Sequence, residues 1–270
     1  MAIHPTAIVS PKARIDSSVE IGPYVIIDGD VTIGPNCRIF PHVHITGYTT
    51  IGAGNEIHTG AVIGDTPQDL GFQDVRSYVR IGDHNVIREY VTIHRGTAPE
   101  SATVIGNHCF LMAVAHVAHN CELADHVKLA NQVLLAGYVR VGEGSFLSGV
   151  AMVHQFVKIG RLCMIAGGTR VHQDIPHFMM AHGESNLVGI NKVGLKRAGF
   201  TSQQIMAIRA AFRKLWRSGM NFSKAVELLE TKDNTEPVRE LLAFIKAPSR
   251  RGIAGVPKRS EESEDRVESD

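Results

Sequence analysis

Aliphatic residues recur along the chain with a period of six. Of the 29 positions from Ile3 to Val171 taken in steps of six, 27 hold isoleucine, valine or leucine. The two exceptions are Asp69 and Pro99, which lie in segments rich in turn-forming and polar residues, at 64–78 and 96–102. Because one phase is kept across both segments, we interpret the pattern as an internal structural repeat.

A period of six fits neither a helix of about 3.6 residues per turn nor a strand whose side chains simply alternate. It fits a backbone that turns a corner every six residues and points one aliphatic side chain inward from each face. Three such faces close one coil, and stacked coils form parallel sheets about 4.8 Å apart. The pattern resembles the hexapeptide-repeat, left-handed parallel β-helix, and the handedness follows from that resemblance alone. We expect this mainly β domain to span residues 1–190.

The six-residue repeat is lost after Val171, and the pattern of apolar residues becomes helical from about Gln203. Ile205, Ile208, Phe212, Leu215 and Trp216 would share one helix face. Thr201 or Ser202 is the expected cap of this helix, and further helices are expected near Ser223 and near Pro237. The segment 191–250 is therefore predicted to be a small α-helical C-terminal domain. The polar, charged segment 251–270 has little to bury, and we expect it to be disordered.

Composition excludes several broad classes of protein. Of the 270 residues, 44% are hydrophobic and 20% are charged, which is typical of a soluble globular protein. A net charge of +1 argues against general nucleic-acid binding. The N-terminus has no secretory signal pattern, and no segment has the roughly 18 apolar residues of a membrane span, so we expect a cytoplasmic location. The cysteines, Cys37, Cys109, Cys121 and Cys163, occupy slots that small apolar residues fill elsewhere, and buried free thiols are expected.

The helical segment carries an uneven charge. Between Ile190 and Ala225 there are eight basic residues and no acidic residue. Arg209, Arg213 and Arg217 repeat every four residues, which places them on one helix stripe. This stripe is either a solvated face or a docking surface for an acidic partner or a phosphate-bearing ligand.

Two histidines, His116 and His119, lie three residues apart in a segment free of charged neighbours. Their spacing alone allows metal ligation, general base catalysis by a neutral imidazole, or a purely structural role. His154 and His172 are separated by three repeats, which is one full coil, and should lie in adjacent coils. Most other histidines occupy turn slots and carry no chemical pattern.

Motifs along the chain discriminate among these interpretations. TPQDL (66–70), IREYVTIHRGT (87–97), AHVAHNC (115–121), LAGYV (135–139), MVHQF (152–156), HQDIP (172–176) and GLKRAGF (194–200) resemble the UDP-N-acetylglucosamine 3-O-acyltransferase family over residues 1–253. The resemblance implies transfer of a 3-hydroxyacyl chain from acyl carrier protein to the 3-hydroxyl of a UDP-sugar, the first step of lipid A biosynthesis. It also implies a homotrimer with active sites between neighbouring β-helices, and no cofactor or metal.

The resemblance also assigns roles to residues. His119 corresponds to the general base and the Gly137 N–H to the oxyanion donor. The expected substrate contacts are Asp69, His94, His116, His154 and Gln155, with Asn191 and Arg197 at the nucleotide end. Gly167 corresponds to the position that limits acyl length, and a glycine there predicts a chain of about fourteen carbons rather than ten. Because acyl carrier protein is acidic, the stripe of Arg209, Arg213 and Arg217 becomes a candidate docking surface.

The sequence departs from the familiar family pattern at five positions. Asn120 replaces the acid that usually follows the base, and Tyr138, one full coil later, replaces a histidine. We expect Asn120 and Tyr138 to lie together and to shape the acceptor pocket. Gly71, Val193 and Ala198 replace a lysine, a glutamate and a second arginine. These changes raise the alternative of a 3-amino UDP-sugar acceptor, which would give an amide.

Two other classes of function stay open at this point. A zinc hydratase of the γ-carbonic-anhydrase type would use His94, His116 and His119 as ligands. A related hexapeptide transferase or an inactive relative that serves as a scaffold is the other alternative. The zinc hydratase would leave the family's other motifs unexplained.

Overall fold

The computed structural model describes residues 2–232 and 235–257, and within them the chain forms 28 strands and four α-helices. The strands are β1 (Ala2–Ile3), β2 (Ile8–Val9), β3 (Arg14–Ile15), β4 (Glu20–Ile21), β5 (Ile26–Ile27), β6 (Thr32–Ile33), β7 (Arg38–Ile39), β8 (His44–Ile45), β9 (Tyr48–Ile51), β10 (Glu56–Ile57), β11 (Val62–Asp65), β12 (Tyr78–Ile81), β13 (Val86–Ile87), β14 (Thr92–His94), β15 (Ala102–Ile105), β16 (Phe110–Leu111), β17 (His116–Val117), β18 (Glu122–Leu123), β19 (Lys128–Leu129), β20 (Leu134–Leu135), β21 (Arg140–Val141), β22 (Phe146–Leu147), β23 (Met152–Val153), β24 (Lys158–Ile159), β25 (Met164–Ile165), β26 (Arg170–Val171), β27 (Met179–His182) and β28 (Asn186–Ile190). The helices are α1 (Lys192–Arg197), α2 (Ser202–Trp216), α3 (Phe222–Glu230) and α4 (Glu236–Lys246).

From β1 to β26, every third strand belongs to the same sheet. The first sheet begins β1-β4-β7, the second begins β2-β5-β8, and the third contains β3, β6 and β9. The three sheets are the faces of a triangular prism, and the same order continues along it. Pairing is parallel throughout except between β27 and β28, which form an antiparallel hairpin at the end. The expected left-handed parallel β-helix is confirmed.

The repeat positions face the interior of the prism. In the second sheet, Ile27 pairs with Ile45 and Ile45 with Ile63, and these side chains are at most 1% exposed. Burying a side chain of this size contributes about 1.5–3 kcal/mol. The four cysteines are free and buried, as expected, and burial raises the pKa of Cys121 to about 12, so this thiol stays protonated.

The corners of the coils also repeat every six residues. Asn120 (φ 59°), His126 (φ 60°) and Tyr138 (φ 61°) occupy the left-handed region at corner positions of the same type. Rings at these positions stack from coil to coil, as His108 does on His126, with centroids 5.1 Å apart. This packing explains a turn histidine such as His126 without chemistry, as the sequence predicted.

Two insertions interrupt the coils at one edge of the prism. We call this edge, between the second and third sheets, the insertion edge; it carries loops 66–77 and 95–101 and the turns at 119–120, 137–138 and 155–156. Ile63 and Ile81 are inward neighbours on consecutive faces, yet three repeat lengths separate them instead of one, so the first loop adds two repeat lengths. Ile93 and Ile105 are separated by two repeat lengths, so the second loop adds one. Both additions are whole numbers of repeats, which is why the phase survives them.

Four helices follow the hairpin, and they include the three predicted ones. Thr201 caps α2, and its side chain and that of Gln204 form a reciprocal capping box. The short helix α1 was missed because its six residues contain one buried side chain, Leu195, and so show no apolar stripe. No helix of the described part of the chain is long and apolar enough to cross a membrane.

Residues after the last helix pack on the prism. The Asp174 N–H donates to Gly252 O at 2.8 Å, and the Ala254 N–H donates to Asp174 O at 2.9 Å. The Leu187 N–H in turn donates to Gly255 O at 2.7 Å. The expectation of a disordered segment from residue 251 is therefore wrong for 251–257, where the backbone pairs with the prism and Ala254 is fully buried. The rest of that segment, 258–270, lies outside the described residues.

Candidate active site

A groove runs along the outer face of the second sheet, beside the insertion edge. Its volume is about 1030 Å³. It is lined by Gln68, Asp69, Leu70, His116, Ala118, His119, Leu134, Leu135, Ala136, Gly137, Met152, Val153, His154, Gln155, Arg170, Val171, His172 and Glu184. Six of the residues predicted for the site therefore meet here: Asp69, His116, His119, Gly137, His154 and Gln155.

The imidazole of His119 lies directly over Gly137. A Cβ atom added at Gly137 would be 2.5 Å from Nε2 of His119 and closer still to Cε1. Ordinary contacts between such atoms are about 3.5–4.0 Å. The histidine can therefore take this position only because the residue one coil further along has no side chain. Among the described residues, no hydrogen bond uses the Gly137 N–H.

Both ring nitrogens of His119 have polar neighbours. Nδ1 lies 3.1 Å from Oδ1 of Asn120, and Nε2 lies 3.6 Å from Oδ2 of Asp69. The His119 residue is only 7% exposed. Its Nε2 is thus the nitrogen that faces the groove, beside a carboxylate.

The loop that carries Asp69 is held by a buried arginine. Arg95 donates to Val75 O and to Asp74 Oδ1, each at 2.8 Å, and its guanidinium lies 5.0 Å from the centroid of Phe72. Arg95 is 7% exposed. These contacts fix the far half of loop 66–77 and so constrain the position of Asp69.

His116 and His94 form an uncharged pair beside His119. Nδ1 of His116 lies 2.7 Å from the Thr92 hydroxyl, and the His116 and His94 rings pack edge to face at 5.1 Å. Burial, followed by the nearby His94 and His119, lowers the pKa of His116 to about 4. Burial also lowers the pKa of His94, whose Nδ1 is buried without a hydrogen-bond partner in the structure. His116 is therefore neutral near pH 7, and its Nε2 is available to a ligand.

The described residues of one chain do not converge on a metal ion. No group of three histidine, cysteine, aspartate or glutamate side chains among them could hold one. The predicted zinc set of His94, His116 and His119 thus gains no support from the geometry of a single chain.

Asn120 and Tyr138 do not line this groove in one chain, and the expectation that they shape the acceptor pocket stays a prediction. They face the opposite side of the insertion edge, where they line a separate cavity of about 530 Å³ together with Arg140, Lys158 and Arg250. Both are corner residues with φ values near +60°.

Four further predicted residues also lie outside the groove in one chain. His94 lies behind His116, and Gly167 lies in a turn beside Gly149 O. Asn191 caps α1, accepting from the Gly194 N–H and donating to Leu162 O, both at 2.9 Å. Arg197 ends the same helix.

Sequence reasoning missed several groove residues. Leu134, Met152 and Arg170 follow His116 in one row across the second sheet, and the spacing of that row, one coil at each step, was visible in the sequence. Arg170 is paired with Glu184 at 3.3 Å, and Glu184 comes from the hairpin, which no repeat predicts. Thr92 and Thr97, which do not line the groove but contact His116 and Asn120, were missed because a hydroxyl in a strand or loop carries no pattern of its own.

The predicted arginine stripe lines a second groove, of about 700 Å³. Arg209, Arg213 and Arg217 share it with Lys192 and Lys196. None of these five cations forms an ion pair within the described residues. We call this surface the basic groove.

Comparisons with known proteins agree with this architecture. A family model described as UDP N-acetylglucosamine O-acyltransferase, domain 2, matches residues 174–254, and one for bacterial transferase hexapeptide repeats matches 12–47 and 102–137. Two relatives are named acyl-[acyl-carrier-protein]--UDP-N-acetylglucosamine O-acyltransferase. The one from Gloeothece citriformis (strain PCC 7424) is 47% identical, over 90% of this chain and 88% of its own. The one from Janthinobacterium sp. (strain Marseille) is 46% identical, over 93% and 98%.

Solved structures give the same result. The UDP-N-acetylglucosamine acyltransferase of Bacteroides fragilis 9343 superposes with a TM-score of 0.89 at 40% identity, over 93% of this chain and 99% of its own. The Francisella novicida enzyme does so with a TM-score of 0.90 at 36% identity, over 95% of both chains.

Proposed function

We propose, since the chain belongs to the UDP-N-acetylglucosamine O-acyltransferase family, that the groove at His119 is its active site. The enzyme transfers an acyl chain from acyl carrier protein to UDP-N-acetylglucosamine, the first step of lipid A biosynthesis. The curated relatives are O-acyltransferases by name, which favours a hydroxyl acceptor over the 3-amino alternative. We expect the acyl chain to be a 3-hydroxyacyl chain and the acceptor group to be the 3-hydroxyl.

The observation that carries the assignment is the position of His119. Its Nε2 faces the groove, while Nδ1 is occupied by Asn120. A neutral imidazole in this orientation can accept the hydroxyl proton as the sugar oxygen attacks the thioester carbonyl carbon. A C–O bond forms, the C–S bond breaks, and the leaving thiolate takes the proton back from His119. Such a base contributes roughly 10²–10⁴ in rate.

The neighbouring groups fit the remaining requirements of acyl transfer. The unpaired N–H of Gly137 is our candidate donor to the oxyanion that develops on the thioester oxygen. Asp69, neutral His116, His154 and Gln155 line the groove and would position the sugar. The apolar row of Leu134 and Met152 would accept the start of the acyl chain. The length limit at Gly167, and hence the preference for about fourteen carbons, stays a prediction.

We further propose that a second and a third copy of the chain complete the site. Leu70 and Leu134 line the groove, yet they are exposed (Leu134 to 44%), which suggests that a neighbouring chain covers them. Asn191 and Arg197, the expected nucleotide contacts, are outside the groove of the same chain, so in the proposed homotrimer they would come from a neighbour. Light scattering of the purified protein should give three times 29.4 kDa.

The basic groove is our proposed docking surface for acyl carrier protein. Its five cations, four on α1 and α2 and Arg217 directly after α2, form no ion pair within the described residues and would attract an acidic partner and accelerate encounter. A cytoplasmic location, where the carrier and the nucleotide sugar would meet, stays a prediction as well.

The test is turnover of defined substrates. The protein is incubated with 3-hydroxyacyl carrier proteins of ten to fourteen carbons and with UDP-N-acetylglucosamine or its 3-amino analogue, and products are read by mass spectrometry. His119→Ala should lower kcat at least 10²-fold. The matched control is His126→Asn, which changes a stacked turn histidine away from the groove and should leave kcat unchanged. Undiminished turnover by His119→Ala would exclude His119 as the base.

A further inference from the structure

The amide of Asn120 has a fixed orientation. Its Oδ1 lies 3.0 Å from the Thr97 backbone nitrogen, 3.0 Å from the Thr97 hydroxyl and 3.1 Å from Nδ1 of His119. A backbone N–H can only donate, so the atom facing it must be the amide oxygen rather than the NH₂ group. An oxygen accepts hydrogen bonds, and Nδ1 of His119 must therefore carry the proton. In the neutral ring the lone pair is then on Nε2, the nitrogen that faces the groove.

The Thr97 hydroxyl is itself held by Tyr138. The two oxygens are 3.0 Å apart. Because the Thr97 hydrogen is committed to Asn120, the Tyr138 hydroxyl is the donor in this bond. The chain of donors thus runs from Tyr138 to Thr97 and then to Asn120, which also accepts from His119.

Rings on both sides keep Tyr138 in place. Its ring packs edge to face on His119 at 5.3 Å and stacks on Phe156 at 5.0 Å. The Tyr138 N–H also donates to His119 O at 3.0 Å. The tyrosine that departs from the family pattern therefore contacts the base through its ring, its backbone and, by way of Thr97, its hydroxyl.

Thr97 sits on a loop that is fastened at both ends. The Ser77 hydroxyl donates to Gly96 O at 2.6 Å, and the Ser101 hydroxyl donates to Ala98 O at 2.7 Å. The backbone N–H of Asn120 donates to the Thr103 hydroxyl at 2.8 Å. Both partners of the central hydrogen bonds are consequently immobilised before substrate binds.

We propose that Thr97 and Tyr138 are positioning residues that set the tautomer and orientation of the His119 ring through Asn120. This inference rests on the proposed function, in which His119 is the base. An amide oxygen attracts the Nδ1 proton less strongly than a carboxylate does. Two donors from Thr97 compensate by locking the amide oxygen toward the ring, so that the productive tautomer is selected by geometry rather than by charge. None of these groups lines the groove, so their effect is on kcat rather than on substrate affinity.

The experiment combines a spectroscopic readout with kinetics. Protein labelled with ¹⁵N only at histidine is measured at alkaline pH, where the ¹⁵N shifts of a neutral imidazole distinguish its two tautomers, and His119 is assigned by its loss in His119→Ala. The wild type should show the Nδ1–H form alone. Thr97→Val keeps the backbone N–H but loses the hydroxyl donor, so it should show a detectable fraction of the Nε2–H form and a kcat about fivefold lower with an unchanged KM. Thr97→Ser, which keeps the hydroxyl, should restore both.

A double-mutant cycle tests whether Tyr138 acts through Thr97 in this series of hydrogen bonds. Tyr138→Phe, which loses only the hydroxyl, should lower kcat two- to threefold, and Thr97→Val/Tyr138→Phe should be no slower than Thr97→Val alone because the tyrosine acts through the threonine. Strictly additive losses would overturn the serial arrangement. A pure Nδ1–H tautomer and a kcat within twofold of wild type in both single variants would overturn the proposal. If Thr97→Val does not fold, Tyr138→Phe decides it by the same readouts.

The two proposals fail in different ways. If the wild-type protein transfers no acyl chain to either acceptor, the proposed function is refuted. The effect of Thr97→Val on the His119 tautomer could still be measured in that case. Normal turnover, together with a His119 tautomer that is the same in wild type, Thr97→Val and Tyr138→Phe, would refute only the positioning role.

Discussion

Gly137→Ala is the sharpest perturbation of the proposed active site. The added Cβ atom would lie 2.5 Å from Nε2 of His119, against an ordinary contact of about 3.5 Å. The imidazole must therefore withdraw by about 1 Å. A misplacement of this size costs on the order of 10²-fold in rate, or about 2.7 kcal/mol of transition-state stabilisation. We expect kcat to fall by about that factor.

The control for this substitution is Gly149→Ala. Gly149 occupies the same turn slot two corners along the chain, and a Cβ atom there would lie 3.4 Å from its nearest neighbour, Asn131 O. This variant should keep wild-type kcat. Both variants should keep the wild-type free energy of unfolding within about 1 kcal/mol, because the conflict at Gly137 is with one side chain and not with backbone. Denaturant titration checks this point.

The assay is steady-state transfer from an acyl carrier protein, with kcat and KM determined separately. The decisive comparison adds Gly137→Ala to His119→Ala. Once the imidazole is absent, the methyl group meets no ring, and the double variant should be no slower than His119→Ala alone. A folded Gly137→Ala enzyme with kcat within twofold of wild type would refute the claim that His119 needs its present position over the glycine.

The other predictions concern charge. Arg213→Glu/Arg217→Glu should raise KM for the acyl carrier protein about tenfold at low salt without changing kcat, whereas Lys224→Glu, outside the basic groove, should not. Burial lowers the pKa of His177 from 6.5 to about 4, so its contribution to stability is present above pH 6.5 and is lost as the pH falls toward 4. His177→Asn should therefore flatten the fall in Tm between pH 7 and pH 5, and an unchanged slope would contradict this account.

The prism was predictable because its signal is repeated. Each inward slot, such as those of Ile45 and Ile63, holds the same type of side chain for the same reason, and twenty-odd repetitions outweigh any single irregularity. The hairpin of β27 and β28 and the helix α1 occur once each, so no repetition could reveal them. The backbone pairing of residues 252–255 with the prism was hidden as well, since backbone hydrogen bonds leave little trace in side-chain composition.

The candidate site was predictable in part of its members but not in its geometry. The resemblance assigned His119 and Gly137 their roles, and the structure brings them together in one groove. It could not show that Asn120 and Tyr138 face away from that groove, because the direction of a side chain at a corner depends on a positive φ that the residue type does not announce. Thr97 could not be predicted for a further reason: its proposed role depends on two hydrogen bonds to Oδ1 of Asn120, which only the three-dimensional structure shows.

The segments that interrupt the six-residue repeat carry more information about function than the repeat itself does. In stacked coils, equivalent positions form rows of similar side chains. Such a row cannot by itself place a base, a carboxylate and an orienting hydroxyl at three different positions. The two insertions solve this problem at a single edge. Loop 66–77 brings Asp69, a break in the aliphatic phase, to Nε2 of His119, and loop 95–101, which contains the other break at Pro99, brings Thr97 to the opposite side of the same histidine through Asn120. Because each insertion is a whole number of repeats, the prism above and below keeps its register, and the irregular chemistry is added without disturbing the scaffold that positions it. In a chain of this kind, the positions where the repeat breaks are therefore the first places to search for the reacting groups.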